Sequence, residues 1–179
     1  MSATSSSTRY GSVAIAIHWL TALLILLLFV TGLLAAEQVD AAARIALLRA
    51  HVPVGAAILL LTLLRIVWWL VADPRRPAMP ADQPAWQKAM AKAVHLGLYV
   101  VVLVSAASGI ATIALSGALP AIVSGAGLPD LSTILPRTVH GIASRAMLGL
   151  LALHIGAALY HQFIRRDHLM ALMGLGRQA

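Results

Sequence analysis

The sequence predicts an all-α membrane protein, a bundle of four transmembrane helices with both termini on the cytoplasmic side. Three observations lead there. The chain of 179 residues is 60% hydrophobic and only 11% charged, with a mean hydropathy of +0.89, whereas soluble domains are roughly half apolar and about a quarter charged. Four apolar runs are long enough to cross ~30 Å of hydrocarbon at ~1.5 Å per residue. The basic residues between the runs collect on alternate sides, as the positive-inside rule requires of an even number of crossings.

The spans are expected at about 13–36, 51–71, 94–115 and 139–163, all within one transmembrane domain that covers 1–179. The first run is too long for the apolar stretch of a signal peptide and carries His18 and Trp19, so it is expected to be retained. The Ser/Thr-rich start is expected to be disordered. Between spans two and three, Ala72-Asp73-Pro74-Arg75-Arg76-Pro77 through Lys92 reads as a polar loop, with a helix start near 83–85. The third connection, 116–136, is rich in Gly and Pro yet apolar, and is expected to lie against the outer membrane surface. The tail 167–175 suits a short interfacial helix. One side of the bundle then carries Arg9, Arg75, Arg76, Lys88, Lys92, Arg165, Arg166 and Arg177, and the other only Arg44, Arg49 and Arg137. This asymmetry places both termini in the cytoplasm.

Composition also removes whole classes of function. With no cysteine, disulfides, iron–sulfur clusters, Cys-ligated zinc and covalently attached haem are excluded, because each needs thiolates. Any metal must be held by histidine or carboxylate. The formal charge of +7 sits mostly between and beyond the apolar runs, so it orients the chain in the bilayer, and nucleic acid is not an expected partner.

The informative residues are the histidines, seven in so apolar a chain. Ionisable groups at membrane depth are costly and persist where they pair, ligate or relay protons. Six lie in or at the edge of a span: His18, His51, His95, His140, His154 and His161. His140 and His154 are 14 residues apart, a spacing of about 1400°, which is ~40° short of four turns and ~21 Å along a helix. They share a face at two depths, as two stacked haems require. Neutral imidazole is a good ligand for haem iron, and a bis-imidazole iron has no open site, which favours outer-sphere electron transfer.

Depth suggests the partners. His51 opens span two level with His140, and His18 lies near the cytoplasmic end of span one, nearest His154. His95 and His161 sit close to that same surface and stand as alternatives for the inner pair. Arg65 follows His51 by 14 residues, so it shares that helix face at the inner level, where a lone cation is costly and a partner, an anion such as a haem propionate or else a quinone, would stabilise it. Arg145 lies about 140° around its helix from His140 and has no assigned partner.

These residues resemble the bacterial cytochrome b561 family over nearly the whole chain. The match runs through Arg9-Tyr10 and Ile17-His18-Trp19-Leu20, then His51 with Gly55 and Arg65. It continues through His95-Leu96-Gly97 with Tyr99 and Gly109, and ends on His140, His154 and His161. The resemblance implies a four-helix protein of the bacterial inner membrane with two b haems that exchanges electrons with ubiquinone. His51 and His140 would hold the outer haem, and His18 and His154 the inner. Some similar proteins are superoxide oxidases, which implies a superoxide:ubiquinone oxidoreductase. Arg44, Arg49 and Arg137 would form a positive rim that attracts the anion at the periplasmic face, although Glu37, Asp40 and Asp130 offset it. Quinone would sit near His95, His161 and Arg65. Two other readings compete: a cytochrome b anchor subunit docked to a protein redox partner, and a haem-free transporter or proton channel.

Overall fold

The fold is described from a computed structural model covering residues 2–75, 77, 83–125, 127–167 and 169–176. Arg76 and Arg177, counted above on the basic side, lie outside the described residues. Among the described residues four helices are long and apolar enough to cross a membrane. They are α1 (Ser12–Glu37), α2 (Ala41–Val71), α3 (Ala85–Ser116) and α5 (Leu135–Leu159), the last continued by a π-helical turn, Tyr160–Arg165. Two short helices complete the set, α4 (Ala118–Ser124) between α3 and α5, and α6 (Leu169–Leu172) after the π-turn.

The helices outrun the apolar windows, most of all in α2, which begins ten residues before His51. Ala41 to Ala50 holds five alanines and two leucines, strong helix formers. Asp40 caps the start, its Oδ1 accepting the Ala43 amide at 2.8 Å. Hydrophobicity marks where lipid begins, whereas propensity and capping mark where the helix begins. His51 therefore lies well inside α2. The expected start of α3 near 83–85 agrees with the observed Ala85, just after Pro84. Pro53, inside α2, forgoes one backbone hydrogen bond, and the helix continues past it.

The chain divides into two compact units, and each takes a part of all four long helices. Unit 1 comprises Met1–Leu20, Thr62–Tyr99 and Met147–Ala179. Its interior includes Ala14, Val94, Met147 and Ala171, together with the polar Thr62, Asp73 and His161. Unit 2 comprises Thr21–Leu61 and Val100–Ala146. Its interior includes Ile25, Ile45, Ile58 and Ala143, and a polar stripe on α3 of Ser105, Ser108 and Thr112. The stripe is compatible with an apolar setting because hydroxyls bond back one turn, Ser108 to Val104 O and Thr112 to Ser108 O, both at 2.7 Å. Large apolar side chains such as Leu23, Leu60, Leu64, Ile142 and Leu153 face outward. In lipid that arrangement is favourable, since helices satisfy their own backbone and need bury only what packs or ligates.

The expected disorder of the N-terminal segment is overturned. Asp73, just past α2, is 1% exposed. Its carboxylate accepts the Ser5 amide at 2.9 Å and the Ser5 hydroxyl at 2.6 Å, and the Ser5 oxygen in turn accepts the Gly11 amide at 3.0 Å. The same segment donates from Tyr10 N to Leu172 O at 3.2 Å, and Trp19 Nε1 donates to Met173 O at 3.0 Å. A buried carboxylate needs donors, and the serine-rich start supplies them. Replacing Asp73 with Ala strands the Ser5 amide and hydroxyl, at a cost of about 1–3 kcal/mol. Limited proteolysis and thermal unfolding in detergent check this. The Asp73→Ala protein should be nicked within residues 2–11 before any loss of helix, and Asp73→Asn, which keeps an acceptor, should be intermediate.

Candidate functional site

In unit 2 the rings of His51 on α2 and His140 on α5 face each other, with centroids 6.1 Å apart and planes at 72°. Their hydrogen bonds fix which nitrogen is bare. Thr31 directs its single hydroxyl hydrogen to the carbonyls of Leu27, 2.9 Å, and Leu28, 3.2 Å. The lone pair of its oxygen is then left to accept from His51 Nδ1 at 3.2 Å. His140 Nδ1 lies 2.8 Å from Ser105 O, which can only accept. Both rings are therefore Nδ1–H tautomers with an Nε2 lone pair available to a metal. Glycines make room for them: a Cβ on Gly32 would lie 2.8 Å from His51 Cε1, and one on Gly109 would lie 3.3 Å from His140.

In unit 1 three histidine rings cluster. His18 on α1 and His154 on α5 have centroids 6.2 Å apart at 67°, and His95 on α3 lies 5.1 Å from His154. Arg65 on α2 joins them, donating from Nη1 to His18 Nδ1 at 3.2 Å, with its Cζ 4.6 Å from the Trp69 ring centroid. His161, in the π-turn, is bonded instead to a carboxylate, its Nδ1 2.5 Å from Asp167 Oδ2.

Two imidazoles that bind one metal from opposite sides, each through a bond of about 2 Å, put their ring centroids roughly 6 Å apart. The His51–His140 and His18–His154 pairs meet that separation, and His95–His154 is too close for it. Among the described residues no group of three or more His, Cys, Asp or Glu could hold an ion. A pair of imidazoles alone suits a metal whose other positions are filled by a macrocycle, so the residues present fit haem and not a bare ion.

The basic residues expected at a rim all lie in unit 2 and differ in what they touch. Arg49 donates from Nε to Ile122 O at 2.6 Å and from Nη2 to Val123 O at 2.9 Å, which ties down the end of α4. Nε of Arg44 is buried and has no hydrogen-bond partner among the described residues. A guanidinium nitrogen of Arg137 and one of Arg145 approach the same point over Gly141, 3.3 and 3.7 Å from where its Cβ would be. Asp130, in the preceding connection, accepts from Ser132 N at 2.8 Å, and its hydrogen bonds with Ser132 hold its carboxyl below the usual carboxylate range. Sequence reasoning passed over the partners Thr31, Ser105, Ser108 and Asp167. Thr31 and Ser108 were detectable as hydroxyls inside apolar spans and Asp167 as the acid six residues after His161, whereas Ser105 acts through its backbone carbonyl, which no side chain signals.

The sequence matches the prokaryotic cytochrome b561 family over residues 9–176. It is similar to two proteins of Escherichia coli K12. Cytochrome b561 homolog 1 is 27% identical over 171 residues, 92% of this chain and 96% of that protein. Cytochrome b561 homolog 2 is 26% identical over 190 residues, spanning 100% of this chain and 97% of that protein. With four membrane-length helices and facing imidazole pairs, the chain belongs to the prokaryotic cytochrome b561 family, multi-pass membrane proteins that bind haem b and carry electrons.

Proposed function

We propose that this chain is a two-haem superoxide:ubiquinone oxidoreductase of the bacterial inner membrane, working as a single transmembrane domain with both termini cytoplasmic. The observation that carries the reading is the repetition of one ligand geometry. Each unit holds a histidine pair at about 6 Å, 6.1 Å for His51–His140 and 6.2 Å for His18–His154. His51 and His140 would hold a haem toward the periplasm, and His18 and His154 one toward the cytoplasm. Bound in this way, haem supplies one-electron transfer with no open iron site.

The balance is simple. Two superoxide ions each lose one electron and leave as dioxygen, and one quinone takes up the two electrons with two protons to become quinol. The residues have distinct parts in it. Arg49 is bonded only to neutral carbonyls, which offset none of a guanidinium's attraction for anions, and together with Arg44 and Arg137 it would draw in the anionic donor. His95, His161 and Arg65 lie on the unit that would receive the quinone, where histidine can pass protons at neutral pH. His18 can ligate through Nε2 only when its Nδ1 carries the proton. Arg65 must then leave that atom, and a propionate carboxylate is the natural acceptor for its planar fork.

Rapid mixing with superoxide and a soluble ubiquinone tests the donor. Haem reduction should slow as ionic strength rises, because salt screens the attraction, and should slow further in Arg137→Ala. Haems that dithionite reduces and superoxide does not would overturn the superoxide reading and point to a docked protein donor. Haem occupancy tests the ligands: His140→Ala should lose one haem and retain the other, and Gly32→Ala, which crowds His51, should weaken retention of that same haem. Redox titration tests Arg65. Without its positive charge the reduced iron is less stabilised, so Arg65→Gln should lower the midpoint potential of the His18–His154 haem and leave the other unchanged.

A further inference from the structure

The long run of α5 ends in a π-helical turn, Tyr160–Arg165, a form that is rare and gathers at functional positions. Arg166 then takes a left-handed conformation with φ 55°, which is unfavourable for a residue with a β-carbon. Its amide donates to the His161 carbonyl, and the Asp167 amide reaches the same oxygen at 3.3 Å. The reversal folds the Asp167 carboxylate back onto its own helix, where Oδ2 meets His161 Nδ1 at 2.5 Å. Both side chains are nearly enclosed, 10% and 12% exposed. Arg165 steadies the carboxylate from the side, its Nε 3.6 Å from Oδ2 and its Nη1 donating to Gln87 Oε1 at 3.3 Å.

We propose that Asp167 is a positioning residue for proton transfer at His161. Its carboxylate accepts the Nδ1–H, so Nε2 is the atom that gives a proton to a reducible oxygen. This rests on the quinone reading above. As quinone accepts the two electrons released by two superoxide ions, an Nε2–H bond of His161 breaks and an O–H bond forms on the quinone. The imidazole then takes a replacement proton from water and repeats the transfer. The Asp167 carboxylate accepts the Nδ1–H throughout, offsetting positive charge on the ring and fixing its orientation during transfer. Helix termination alone would need only a hydrogen-bond acceptor at this place. A charged one, braced by Arg165 and matched to an enclosed histidine, does more.

The haem-loaded, full-length protein is reduced with dithionite and mixed with a soluble ubiquinone in a stopped-flow cell, comparing wild type with Asp167→Asn, Asp167→Glu and His161→Ala. Asn retains an acceptor but no charge. Asp167→Asn should keep the wild-type spectrum, melting temperature and KM for quinone, yet reoxidise roughly tenfold or more slowly and show an enlarged solvent deuterium isotope effect. Asp167→Glu should recover much of the rate. Wild-type kinetics in Asp167→Asn beside a slow His161→Ala would overturn this inference alone. A loss of rate that only tracks lost haem or melting temperature would assign Asp167 a structural part and overturn it equally. Reduced wild-type protein that quinone fails to reoxidise would remove the quinone reading and this inference with it.

Discussion

An imidazole inside a membrane must be given something to do. Its nitrogens are too polar to leave bare among lipid tails, and its neutral form offers one donor and one lone pair. The chain meets this demand in the same way in each unit. Two rings are turned toward each other at a separation one metal can bridge, His51 with His140 and His18 with His154. Much of the neighbouring sequence serves that arrangement. Thr31 and the Ser105 carbonyl take the Nδ1 hydrogens, while Gly32 and Gly109 leave space beside the rings.

The two units hold their histidines differently. Around His51 and His140 the partners are neutral acceptors, and the rings already present Nε2. Around His18 the partner is a guanidinium, which can only donate, so Nδ1 is the accepting atom there. A third ring, His95, stands within 5.1 Å of His154, and a fourth histidine, His161, is bound to a carboxylate instead. One unit holds its facing pair among neutral acceptors alone. The other adds charged groups around its pair, which suits a place where protons as well as electrons must be managed.

Much of this was legible in the sequence, for identifiable reasons. Apolar runs separated by basic loops specify four crossings, and a 14-residue spacing puts His140 and His154 on one helix face whatever the surroundings. Features that depend on tertiary hydrogen bonds were not legible. The serine-rich start reads as disordered until Asp73 is seen to bury itself against Ser5. Arg49 reads as a free surface cation until Ile122 and Val123 present their carbonyls to it. Asp167 reads as a tail residue because a regular α-helix would not return it to His161; the π-turn and the left-handed Arg166 do. The early start of α2 was missed because hydropathy measures contact with lipid and says nothing of a polar-ended helix that continues beyond it.

The central claim is that each facing pair of histidines holds one haem. It is tested most directly by quantifying haem against protein in the purified chain while recording its reduced-minus-oxidised spectrum. Two b-type haems per chain are expected, both low-spin and six-coordinate. One haem per chain, or a high-spin spectrum with an open iron site, would contradict it.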